Sequence, residues 1–334
     1  MKTSRKLAHA LLASLALLLM TSAALAADPG LRYPQDSEVS DQKAGSILFF
    51  NFYTSGATSG NAQNTSVSIT NTSSTSAAFV HLFFVSDGCA IADRYLCFTA
   101  RETTTFLASD IDPGVSGYIV ALAVDGVDGC PVSFNFLIGE EYVKMSSGHH
   151  GGLGAEAFSA LYNGVLPGCD ANSVTAVIRF NGVAGSGYNC VPAVLALSNI
   201  PSRADGNDTL LIINRVGGNL ALGASTLGTL FGQLYDDAEN AQSFSANGSC
   251  QLRNSLSNTF PRTTPRFEDV IPTGHSGWLR IGNLTGAIGI LGASINLNAN
   301  LGVAKGAFVG AHNLHKLTLQ PTAQYIVPIF APSC

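Results

Sequence analysis

Apolar residues recur along the chain in short runs, many of them alternating with polar ones. SILFFNFYT (46–54), SVSIT (66–70), FVHLFFV (79–85), GYIVALAV (117–124) and VSFNFLI (132–138) are the clearest. Each is bounded by Gly, Pro, Asn, Asp or Ser, the residues that turn a chain, and each has the length and period of a strand. GAEAFSALY (154–162) fits a helical turn or two. Long amphipathic helices are absent from the pattern, so the expected class is all-β.

The two halves of the chain resemble each other. NTSVSITN (64–71) matches DTLLIINR (208–215), and DIDPGVSGYIVALAV (110–124) matches DVIPTGHSGWLRIGN (269–283). SFNFLIG (133–139) matches SINLNAN (294–300), TAVIRF (175–180) matches YIVPIF (325–330), and 238–265 reads as an insertion. A repeat of this length points to a duplicated domain rather than to a solenoid. The expectation is two tandem immunoglobulin-like β-sandwich domains, at 45–181 and 191–334, joined by a Gly-rich linker at 182–190. In DIDPGVSGY, Pro113 fixes φ at a turn corner and Gly114 can take the positive φ that follows. Trp278, the only tryptophan, opens the matching strand of the second half and is expected in the core, its N–H hydrogen-bonded.

The N-terminus changes the setting. Lys2, Arg5 and Lys6 precede a short apolar core, Leu11 to Met20, and then Ala24-Leu25-Ala26. That is the pattern of a secretory signal peptide over 1–26. A polar arm over 27–44 follows, and no later apolar run is long enough to span a membrane as a helix. The expected location is secreted, extracellular or at the cell surface, with the periplasm as the other destination.

Seven cysteines, Cys89, Cys97, Cys130, Cys169, Cys190, Cys250 and Cys334, read as disulfide partners in an exported chain. Seven is odd, and Cys334 is the first candidate for the unpaired thiol. Charged residues make up only 12% of the chain and the net charge is −5. Without a basic stripe, nucleic acid is excluded as a partner class. In strand and turn pattern the chain resembles bacterial exported proteins built of tandem immunoglobulin-like sandwiches. That resemblance implies the two-sandwich fold and carries no catalytic residue with it.

Candidate chemistry rests on histidines. His149 and His150 lie in SSGHHGGLGAEAF (146–158), and His312 and His315 in GAHNLHKL (310–317). Imidazole suits zinc or copper. His150 and His312 stand at about the repeat distance, and H-x-x-H can chelate on a helical turn. These four residues are the candidate metal ligands, with Glu140, Glu141 or Asp170 as a third donor. His81, inside a strand, reads as a satisfied structural histidine. GHSGW (274–278) approximates the G-x-S-x-G nucleophile elbow, but Trp278 replaces the last glycine and no helix pattern follows. ADGNDT (204–209) and DGVDG (125–129) read as turns rather than calcium loops.

The expected function is therefore that of a secreted, non-enzymatic structural or adhesive protein, a surface, matrix or appendage component. Self-association or a cell-surface partner is expected. A metal- or carbohydrate-binding module using the histidine loops is the first alternative. A β-sandwich hydrolase using His275 and Ser276 is the second.

Overall fold

The computed structural model describes residues 38–56, 63–283, 288–300, 308–320 and 323–333. The expected signal peptide, most of the polar arm and Cys334 lie outside the described residues. Described residues all belong to one compact unit, Tyr33–Cys334.

The first half supplies β1 (Ile47–Thr54), β2 (Asn64–Asn71), β3 (Ala78–Ser86), β4 (Ile91–Phe98), β5 (Thr103–Leu107), β6 (Ser116–Val124), β7 (Leu137–Lys144), β8 (His150–Gly154), β9 (Glu156–Phe158) and β10 (Thr175–Phe180). The second supplies β11 (Val191–Pro201), β12 (Asn207–Val216), β13 (Gly218–Asn219), β14 (Gly223–Ala224), β15 (Gly228–Asp236), β16 (Ala241–Gly248), β17 (Gln251–Ser255), β18 (Ser276–Asn283), β19 (Gly289–Asn298), β20 (Gly310–Asn313), β21 (His315–Gln320) and β22 (Ala323–Pro328). The only α-helix among the described residues is one turn, Phe267–Val270. The all-β expectation stands, but the helical reading of 154–162 does not, because β9 occupies it.

The strands form five sheets, with orders β4-β3-β6-β1-β9, β5-β2-β7-β8, β17-β12-β19-β20, β16-β15-β18-β11-β21 and β10-β22-β13-β14. They are arranged as the blades of a five-bladed β-propeller ring. Successive blades share apolar clusters. Leu48, Phe50 and Leu82 of the first five-stranded sheet meet Val67 and Ile69 of the first four-stranded sheet. Val143 of that sheet, with Phe52 beside it, meets Leu210, Ile212 and Ile295 of the next. Leu211 and Ile213 then meet Leu195, Leu234 and Leu279. The fifth sheet covers the far side of the first, with Ile178, Phe180, Tyr325 and Val327 on Phe49, Phe83, Tyr118 and Val120. Among the described residues of that cluster, Val191, at the start of β11, is the one that comes from the second five-stranded sheet.

Two tandem immunoglobulin-like sandwiches are thus not what the chain builds. The fifth sheet pairs β10 of the first half with β22 of the second along Thr175–Phe180. A further blade-to-blade core joins β5-β2-β7-β8 of the first half to β17-β12-β19-β20 of the second, so the halves are blades of one ring rather than domains in series. Strand periodicity says which face of a strand is apolar; it does not say which sheet the strand joins.

Within that ring, strands of the two halves still occupy matched places. β2 and β12 correspond, as do β6 and β18, and β1 and β11 each carry a register shift, between Phe50 and Tyr53 and between Leu197 and Ile200. Gly117 and Gly277 occupy one such place. A Cβ at either would run into the neighbouring strand's carbonyl, that of Val85 or of Tyr235. The match of 133–139 with 294–300 is out of step. Val143 and Asn296 are the residues that face Thr65 and Thr209. Gly114 does take a positive φ of 82° after Pro113.

A buried polar seam fixes how the halves meet. Asn214 Nδ2 donates to the Asn51 carbonyl at 2.7 Å, and Gln251 Nε2 donates to Asn214 Oδ1 at 2.7 Å. Asn51 Nδ2 donates to Asn313 Oδ1 at 2.8 Å. Glu141 accepts the Phe52 N–H at 3.1 Å, and complete burial raises its pKa well above the usual carboxylate range. Buried polar groups need specific partners, so this seam selects one relative placement of the blades.

Disulfides join Cys89 to Cys250, across the halves, and Cys130 to Cys169. Cys97 is also disulfide-bonded. The free thiol among the described residues is Cys190, which is buried. Structural disulfides fit an oxidising extracellular or periplasmic setting. No helix of the described residues is long and apolar enough to cross a membrane.

Candidate functional site

The four candidate metal ligands do not converge. His149 is only 2% exposed. Its Nε2 lies 2.9 Å from the Asp208 carbonyl and its Nδ1 2.9 Å from Ser147 Oγ, so both ring nitrogens are used within the protein. His150 contacts the Gly148 carbonyl at 2.9 Å. His312 lies on β20 beside Ser294 Oγ, with its pKa lowered by burial and then by His315. His315 lies on β21, in another sheet, 3.1 Å from Ser198 Oγ. A strand break at Leu314, not a helical turn, separates the last two. Among the described residues, no three His, Cys, Asp or Glu side chains are placed to hold a metal ion. Nor are His150 and His312 counterparts. By register, the first-half residue in the place of His312 is Leu153. His81 is buried and satisfied, 2.9 Å from Asp93.

GHSGW runs directly into β18, without the helix an elbow requires. His275 Nδ1 lies 2.7 Å from Asp237 Oδ2, at the rim of an open cleft of about 720 Å³ that includes Asp205, Asn207 and Ser276. No hydrogen bond joins His275 to Ser276, so the imidazole is not set to take that hydroxyl's proton.

The most distinctive surface is the outer face of β16-β15-β18-β11-β21. Three rows cross it. Phe231 faces Gly282, Gln233 faces Arg280, and Tyr235 faces Trp278. Rows two residues apart along a strand stand about 6.6 Å apart. Alternation places these side chains outward because Leu230, Leu234, Leu279 and Ile281 between them point into the core. Tyr235 and Trp278 stack at 4.2 Å with planes 5° apart. Trp278 and Phe231 are each 37% exposed, so the tryptophan is a surface residue and not the core residue its position suggested. A shallow groove of about 230 Å³ is lined by Val194, Phe231, Gln233, Arg280, Gly282 and Asn283.

In the first half, the same register positions hold other residues. His81 faces Leu122, Phe83 faces Val120, and Val85 faces Tyr118. All six are buried, beneath the sheet that β10 and β22 build. None of Phe231, Gln233, Tyr235 or Arg280 stands out in the sequence alone. The signal that finds them is the alternation in LFGQLYD and GWLRIGN, whose outward positions are large, aromatic or charged where solvent should face small polar groups.

No known protein family matches the chain, and no curated protein matches it. Among solved structures, the crystal structure of Thermotoga maritima 1070 is similar at a TM-score of 0.26 and 12% identity, over 34% of this chain and 92% of that one. A likeness of that size carries no argument about fold or function.

Proposed function

We propose that the chain is an exported, non-enzymatic adhesive protein, a component of the cell surface or its surroundings. In this reading its attachment surface is the open face of β16-β15-β18-β11-β21, and its ligand is an extracellular polysaccharide. One observation carries the reading. A sheet position that the fold covers in one half is left uncovered in the other, and the uncovered residues are Phe231, Tyr235, Trp278, Gln233 and Arg280. Aromatic rings and a guanidinium at a rigid surface are the groups that anchor recognition, and sheet strands hold them in place without a moving loop. Disulfides and the signal-peptide pattern support export.

Binding of the full chain to polysaccharide-coated surfaces tests this. Trp278→Ala and Arg280→Gln are expected to reduce retention at least tenfold while leaving thermal unfolding nearly unchanged. Retention equal to that of the unaltered protein in both variants contradicts the assignment of this face.

A further inference from the structure

We infer that the ligand of this face is an acidic polysaccharide, whose sugar carboxylate pairs with Arg280 while a ring of the same chain lies against the Tyr235–Trp278 stack. The inference rests on the proposed use of this face and adds the ligand's charge and orientation.

Three observations carry it. First, Arg280 has no ion-pair or hydrogen-bond partner among the described residues, and it is not fully exposed. Arg203, by contrast, lies 2.7 Å from Asp208, and Arg253 lies 3.5 Å from Asp87. Second, the rows beside Arg280 carry no carboxylate among the described residues; the first along β15 are Asp236, its last residue, and then Asp237, past the Tyr235–Trp278 row, and Asp237 is paired with His275 at 2.7 Å. Its cross-strand neighbours are Gln233 and Ala196, and the next rows hold Phe231 with Gly282 and Tyr235 with Trp278. The adjoining strand β16 contributes Ala241, Ser243 and Ser245 opposite Tyr235, Gln233 and Phe231. His315 stands opposite Ala196 in the same row and adds no negative charge, and Lys316 beside it is paired with the buried Glu156 at 2.8 Å. On a chain of net charge −5, an acid-free patch around a partnerless guanidinium is complementary to an anion. The planar fork of arginine matches a carboxylate through two parallel hydrogen bonds, a strong and directional pairing.

Third, the shape fits a chain of sugars rather than a globular partner. Gly282 stands where Leu122 stands in the first half, so the groove floor beside Arg280 is formed by backbone and by Val194, whose Cγ2 lies 2.9 Å from where a Gly282 Cβ would be. The groove, about 230 Å³, has room for one sugar ring. On its β16 side Tyr235 has only the methyl group of Ala241 beside it. Aromatic faces take the apolar C–H face of a sugar, and Gln233, Ser243 and Ser245 offer hydrogen bonds to its hydroxyls.

Because Trp278 is the only tryptophan, its fluorescence reports on this face alone. The experiment titrates the full chain with oligogalacturonate, a neutral gluco-oligosaccharide of equal length, and a sulfated oligosaccharide. Oligogalacturonate is expected to give a saturable change in emission, its apparent Kd raised at least tenfold by Arg280→Gln and by 0.5 M salt. The neutral sugar is expected to give no saturable change. Equal affinity for the neutral sugar, affinity for the sulfated one alone, or no effect of Arg280→Gln each overturns the inference. Surface retention run in parallel separates the two claims. If Arg280→Gln and Trp278→Ala lose retention while oligogalacturonate leaves Trp278 unchanged, the face stands and the acidic sugar falls. If retention is unaltered, the assignment of the face falls with it.

Discussion

Two sheet faces in this protein occupy the same place in the same strand order and differ in almost every outward residue. On β4-β3-β6-β1-β9 the outer face holds Phe49, Phe83, Val85, Tyr118, Val120 and Leu122, all packed beneath β10 and β22. On β16-β15-β18-β11-β21 the matched positions hold Ala196, Gln233, Tyr235, Trp278, Arg280 and Gly282. The inner faces of both sheets are apolar and buried. One face of each strand is thus set by the blade's own core, and the other by what lies outside it. Where protein covers the outer face, the residues are those of a core; where it does not, aromatic rings and a guanidinium remain partly exposed.

The sharpest way to break the comparison is to exchange residues across it. Val120→Arg places an unpaired charge beneath the β10–β22 sheet and is expected to destabilise the fold by at least ~3 kcal/mol, read from denaturant unfolding. Arg280→Val at the matched open position is expected to shift stability by less than about 1 kcal/mol. Similar effects from the two would show that the faces do not differ as described.

A second test lies at the neighbouring matched pair, Glu156 and His315, which face Phe49 and Ala196. Glu156 is buried, with Lys316 Nζ 2.8 Å from its carboxylate. Burial raises its pKa from 4.5 to about 7, against the opposing pull of Lys316. An acid whose pKa is higher in the folded state holds more protons there than in the unfolded chain. Its stabilisation is therefore full below about pH 4.5 and is lost as the pH rises towards 7. The loss is expected to reach ~3 kcal/mol across that window. Glu156→Gln should flatten this part of the stability–pH curve, while His315→Gln should leave it in place.

Smaller effects separate the histidines. His149→Ala removes two satisfied hydrogen bonds from a buried site and is expected to cost about 1–3 kcal/mol in unfolding free energy. His150→Ala and His315→Ala, at sites with one contact and more solvent, should stay within about 0.5 kcal/mol. Trp278→Ala on the open face is also expected to stay within about 1 kcal/mol, although it should reduce retention on polysaccharide at least tenfold. A large loss of stability there would mean that Trp278 works as a core residue after all.

The sequence made the strands visible because alternation and turn residues are local properties. SILFFNFYT, FVHLFFV and GYIVALAV all become strands of the first sheet, and SGY and SGW mark matched strands because a close carbonyl leaves no room for a Cβ at Gly117 or Gly277. What joins the strands is not local. Nothing in TAVIRF or AQYIVP says that they pair with each other and roof a sheet of the first half. Nothing around Asn51, Asn214 or Gln251 announces a buried seam. The histidine loops drew attention because imidazole is conspicuous in Gly-rich sequence, yet His149 is consumed by hydrogen bonds and His312 and His315 belong to different sheets. The open face was legible only in part. WLRI alternates as any strand does, and its meaning emerges only when no sheet is found to cover Trp278 and Arg280.

Hydroxyl-radical footprinting of the free protein, read by peptide mass spectrometry, tests the contrast between the two faces most directly. Trp278, Tyr235 and Phe231 are expected to oxidise readily, and Tyr118, Phe83 and Phe49 to be protected until the protein unfolds. Protection of Trp278 in the free protein, or oxidation of Tyr118 at a comparable rate, would contradict the account of one covered and one open face.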